Sequence, residues 1–77
     1  MFDLIQLPNG DFIDFNRGIK FFLVNYSGNI HWRMMYLNIP DPTSTDITHS
    51  IKDDPTNRKF LYDQLLTLFI NLGYTIK

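Results

Sequence analysis

Cysteine, glutamate and alanine are all missing from this 77-residue chain. The first absence excludes disulfide staples and thiolate metal sites, and it suits a reducing compartment. The other two remove good helix formers, so strands and turns are favoured over long helices. Charge of either sign is scarce. Seven Lys+Arg stand against eight acids, all of them Asp, and no basic block exists to neutralise a row of phosphates. Long apolar runs are absent too. The most apolar stretch, Gln64 to Ile76, covers about 13 residues and falls short of a bilayer's thickness. The opening "MFDLIQLPNG" carries Asp3 and reaches a turn by Pro8, unlike a signal peptide. A cytoplasmic protein with no membrane span is the expectation.

What is present is apolar and aromatic. The hydrophobic fraction is 44% and the aromatic fraction 16%, with seven Phe, which argues for a folded globule and against disorder. A chain of 9.1 kDa has room for one core, so residues 1–77 form one small domain. Such a domain buries only about 60% of the surface its unfolded chain exposes, and its stability margin is thin.

Turn chemistry divides the first half into strands. Phe2 to Leu7 ends at "PNGD", where Asn9-Gly10 can supply the positive φ angles of a tight hairpin. Phe12 to Phe15 reads as the returning strand, and "NRG" separates it from a longer strand at Ile19 to Tyr26. "SGN" makes the next turn before a strand at Ile30 to Ile39. The segment "PDPTSTD", Pro40 to Asp46, holds two prolines and reads as irregular. Ile47 to Ile51 alternates apolar and polar residues like one more short edge strand.

The strongest local signal is a helix at roughly Pro55 to Leu72. Asp54 is its N-cap, Pro55 its first residue and Gly73 its stop. Leu61, Leu65, Leu68, Phe69 and Leu72 form a stripe at helical spacing that would bury against the sheet, while Asp63, Gln64, Thr67 and Asn71 define the wet side. Tyr62, Leu66 and Ile70 widen the apolar arc. That excess suggests a second contact, with the tail "YTIK" or another subunit. The expected fold is therefore α+β and two-layered: an antiparallel meander of four to five strands under one C-terminal helix.

The central hairpin has two faces. With Gly28-Asn29 as a two-residue turn, Ile19, Phe21 and Leu23 share one face with Trp32, Met34 and Tyr36, and that face is assigned to the core. A three-residue turn would mix charge into both faces. The second face carries Lys20, Phe22, Val24 and Tyr26 beside His31, Arg33, Met35 and Leu37. A wet sheet face normally alternates to polar residues, so this one needs a cover. The candidates are the N-terminal hairpin, a second copy of the chain, or another protein.

Other chemistry finds little support in the residues. "RGIKFFLV" matches the RNA-recognition pattern K/R-G-F/Y-G/A-F-V-x-F/Y at Arg17, Gly18 and Phe21, but Ile19, Lys20 and Val24 replace its stacking and small residues. Asp41, Asp46, His49, Asp53 and Asp54 lack the Gly and Glu of a calcium loop. His31 and His49 fall on different elements, and no nucleophile elbow or phosphate loop occurs. Asn25-Tyr26-Ser27 is formally a glycosylation sequon.

The sequence therefore points to a non-catalytic protein-interaction module without cofactor or metal, an adaptor, subunit or inhibitor. Its contact residues would be Lys20, Phe22, Tyr26, His31, Arg33, Met35 and Leu37 on the sheet, or Leu66 and Ile70 on the helix. Its partner would be another protein or a second copy of itself. The alternative is a single-stranded nucleic-acid binder, with Phe22 and Tyr26 stacking on bases and Lys20, His31 and Arg33 on phosphates.

Overall fold

A computed structural model describes residues 2–41 and 43–76. The strands are β1 (Phe2–Gln6), β2 (Phe12–Asp14), β3 (Ile19–Tyr26), β4 (Asn29–Tyr36), β5 (Ser44–Asp46) and β6 (Ile51–Lys52). Helix α1 (Pro55–Asn71) and strand β7 (Tyr74–Ile76) complete the order. One sheet runs β5-β4-β3-β2-β1-β7, and β6 pairs with β4 beside β5. All its pairings are antiparallel except β1 with β7. The fold is α+β and two-layered, with the helix on one face. Seven strands replace the four or five expected, because the tail pairs with β1 and the far edge is split in two.

The helix follows its sequence signals closely. Asp54 Oδ1 accepts from the Asn57 amide at 2.7 Å, Pro55 opens the first turn, and Gly73 reverses the chain at φ 84°. Leu61, Leu65 and Phe69 are its buried residues. Leu68 is half-buried against the core, whereas Leu72 lies at the C-cap and is exposed. Beneath the helix lie Leu4, Phe12, Ile19, Phe21, Ile30 and Trp32 from the sheet, with Tyr74 from the tail. Phe69 is the hub. Its ring meets Phe21 at 4.9 Å, Phe12 at 5.1 Å and Tyr74 at 5.7 Å, each edge-on, a geometry worth about 0.5–1.5 kcal/mol per pair beyond area burial.

The central turn falls one residue earlier than expected, at Ser27-Gly28, where both residues have positive φ (53° and 86°). Tyr26 thus faces Asn29, and Leu23 faces Trp32. Moving a two-residue turn by one position slides the register by two, which preserves the side-chain parity. Ile19, Phe21 and Trp32 are accordingly buried, and Leu23 and Met34 pack half-buried beside them. Tyr36 is the exception. It lies at the end of β4 opposite Ile19, beyond the reach of the helix, and is 49% exposed.

The edge beside β4 also departs from expectation. The strand placed at Ile47 to Ile51 is instead two short pieces flanking a bulge. Arg33 faces Asp46 and Ile30 faces Ile51, so four residues of the edge oppose two of β4. The Trp32 amide donates to Thr48 Oγ1 at 2.8 Å, and the Ile47 amide donates to the Trp32 carbonyl at 3.0 Å. The hydroxyl supplies the acceptor that the ladder lacks there.

Candidate functional site: the uncovered sheet face

The face opposite α1 is built by the register. One row crosses five strands, from Ile5 through Ile13, Lys20 and Met35 to Ser44. The next row sets Phe22 beside Arg33 and Asp46, and the third sets Val24 beside His31. Alternation along each strand leaves these side chains pointing away from the helix. The apolar members Ile5, Ile13, Phe22, Val24 and Met35 are half-buried to exposed. The N-terminal hairpin does not fold over them. β1 and β2 join the sheet edge-on and lengthen the same face, so the expected intramolecular cover is replaced by two further apolar residues, Ile5 and Ile13.

The charges on this face are matched locally. Arg33 makes an ion pair with Asp46 through Nη1, and donates from Nε to Ser44 Oγ and from Nη2 to the Ser44 carbonyl, both at 2.8 Å. His31 Nε2 lies 3.1 Å from the same Asp46 carboxylate, without the alignment of a hydrogen bond. Lys20 Nζ lies 3.5 Å from Asp11 and 5.3 Å from the centre of the Phe22 ring. Lys20, Arg33, His31 and two carboxylates thus frame an apolar centre.

Seven of the nine residues expected to bind a partner sit on or beside this face. Lys20, Phe22, His31, Arg33 and Met35 are clustered. Tyr26 stands at the hairpin end, 77% exposed, and Leu37 follows β4 at the opposite end. Leu66 and Ile70 lie on α1, across the sheet. Leu66 packs half-buried on the core, and Ile70, one turn further on, is exposed. Phe60, the other exposed large group within the helix, is about 80° round from Ile70 and forms no patch with it. Ile5 and Ile13 were missed because their side of the N-terminal hairpin was not assigned. The alternation Leu4/Ile5 and Phe12/Ile13 carries that signal.

The oxygen-rich segment is occupied otherwise. Asp53 receives both Arg58 Nε and Nη2, at 2.6 and 2.9 Å, and the bonds from Arg58 hold its carboxyl below the usual value of 3.8. Asp54 caps the helix and Asp46 pairs with Arg33. Among the described residues, no three His or Asp side chains converge to hold a metal. No helix among them is long and apolar enough to cross a membrane. Compared with family models, curated proteins and solved structures, the chain matches none.

Proposed function

We propose that this chain is a small non-catalytic interaction module whose uncovered sheet face binds a second copy of itself. The observation that carries the proposal is the one-sided fold. Among the described residues the sheet has one helix, packed on one face, and carries Ile5, Ile13, Phe22, Val24 and Met35, half-buried to exposed, on the other. Apolar clusters of this kind mark association surfaces. Internal pairing of Lys20 with Asp11 and of Arg33 with Asp46 leaves the rim with both signs, so two copies related by a two-fold axis offer each other complementary charges.

Area bounds the strength. Five strands about 4.8 Å apart, with eight residues in the longest at about 3.3 Å each, give a footprint of roughly 500 Å² per copy. That lies below the roughly 800 Å² per partner of a standard interface, which fits a weak, concentration-dependent dimer. Sedimentation velocity from low micromolar to submillimolar concentration should show a monomer–dimer equilibrium that changes little with salt. Phe22→Asp should give a folded monomer by circular dichroism. A wild-type chain that stays monomeric throughout overturns the second copy as partner. A Phe22→Asp chain that unfolds shows that Phe22 serves the core instead.

Single-stranded nucleic acid on the same face has less in its favour, because Lys20 and Arg33 are already engaged by carboxylates. Oligonucleotide binding that weakens steeply with salt would restore that reading.

A further inference from the structure

The turn between β1 and β2 holds the chain's one Asn-Gly pair, Asn9-Gly10. Asn9 is exposed, and nothing crowds Gly10: a Cβ built there would meet no atom within 4 Å. At φ 93° this is backbone that glycine holds without strain. The other six asparagines are each followed by Arg, Tyr, Ile or Leu, whose side chains shield the next backbone nitrogen. The Gly10 nitrogen has no such shield.

Asp11 grips the Asn9 side chain at both ends. Its amide donates to Asn9 Oδ1 at 3.0 Å, and its Oδ2 accepts from Asn9 Nδ2 at 3.2 Å. A donor on Oδ1 polarises Cγ and stabilises the negative charge that gathers on that oxygen when a nucleophile adds to the carbon. A carboxylate beside the leaving nitrogen is placed to relay a proton to it. The same Asp11 oxygen also faces Lys20 Nζ, at 3.5 Å. One bond opposes the reaction, because the Gly10 N–H is donated to the Leu7 carbonyl at 2.9 Å. That bond lies in a surface turn, where local opening costs little.

We infer that Asn9 converts spontaneously to aspartate and isoaspartate in the folded protein, with Asp11 as the assisting group. The Gly10 nitrogen attacks Asn9 Cγ and closes a cyclic imide as the Cγ–Nδ2 bond breaks. The proton lost from Gly10 passes by way of the Asp11 carboxylate to Nδ2, which leaves as ammonia. Water then opens the imide at either carbonyl, giving aspartate with the normal backbone or isoaspartate with the chain routed through Cγ. Both products set a second carboxylate against Asp11 where the Nδ2 donor had been. The isoaspartyl link also lengthens the main chain inside the turn that the Leu7 amide and carbonyl close. The reaction needs no second copy of the chain.

Native protein held in mildly alkaline buffer should gain the mass of one amide-to-acid change. Peptide mapping should place it at Asn9, with isoaspartate among the products, and Asn9→Ser should not gain it. Asp11→Asn, shown to be folded by circular dichroism, should slow the conversion about fivefold. A native chain that stays intact while the urea-unfolded chain converts overturns the proposal, since the turn then protects Asn9. A mass gain mapped to another asparagine overturns the site. Conversion of Asp11→Asn at the wild-type rate overturns the role of Asp11.

Discussion

Tyr74 and Asp14, 60 residues apart in the chain, meet inside the fold, where the tyrosine hydroxyl donates to Asp14 Oδ2 at 2.7 Å. The same carboxylate receives Arg17 Nε at 2.8 Å and the Arg17 amide at 3.0 Å. The guanidinium in turn lies 4.1 Å from the centre of the Phe2 ring and 5.0 Å from that of Tyr74. A fully buried charge is thereby satisfied on three sides, and the C-terminal strand is fastened to the second strand. Burial alone would push the Asp14 carboxyl up, but the bonds from Tyr74 and Arg17 outweigh it and hold the group below its usual 3.8. Its stabilising contribution is therefore present at neutral pH and is lost as pH falls below that value.

Tyr74→Phe removes one of the three donors and leaves the carboxylate under-satisfied, which should cost about 1–3 kcal/mol at neutral pH. The effect has a pH signature. Burial, with the bond to Asp14, pushes the Tyr74 hydroxyl up to about 12 from its ordinary 10.0. An acid whose folded pKa is raised stabilises the fold fully below the unfolded value and progressively less above it. The wild-type advantage over Tyr74→Phe should therefore shrink from about pH 10 towards pH 12. Urea unfolding of both proteins at pH 7 and pH 11 measures it. An equal gap at the two values contradicts the assignment.

The parts of this fold legible in the sequence are those fixed by local chemistry. Asp54-Pro55 and Gly73 bracket the helix, and the parity of a two-residue turn places Phe21 and Trp32 inward whichever neighbouring dipeptide forms it. The tail was harder to place. Tyr74 to Ile76 pairs with β1 in parallel, a contact between the two ends of the chain that no local pattern encodes. The polar segment before the helix hid its strand for a similar reason. Ser44 to Asp46 carries no β signal of its own and is held as an edge by the ladder of β4 and by Arg33. The uncovered face was legible residue by residue in β3 and β4. Its extension through Ile13 and Ile5 depended on the order of strands in the sheet.

Ser27 sits at φ 53° in the first position of the β3–β4 turn, with Gly28 at φ 86° after it. Both angles suit a type I′ turn, but a serine in the left-handed region is strained by about 1 kcal/mol, and asparagine tolerates it better. Ser27→Asn should therefore raise stability by about 0.5–1 kcal/mol and the Tm by about 2–8 °C. The side chain is exposed, so packing changes little. A calorimetric Tm equal to or below that of the wild type would count against the turn as described.

Thr48 tests the bulge at the sheet edge. Its hydroxyl accepts the Trp32 backbone N–H at 2.8 Å, where four edge residues oppose two of β4. Thr48→Val keeps the shape of the side chain but leaves that partly buried amide without an acceptor, at a cost of about 1–3 kcal/mol. The loss should be local before it is global. Hydrogen exchange at the Trp32 amide should accelerate by more than at the Phe22 or Leu23 amides, because water must enter the bulge to replace the lost bond. Thr48→Ser keeps the hydroxyl and should restore most of the protection. If valine and serine variants exchange alike at Trp32, the bond across the bulge does not hold that edge in place, and the packing of Ile47 and Ile51 on the core does so instead.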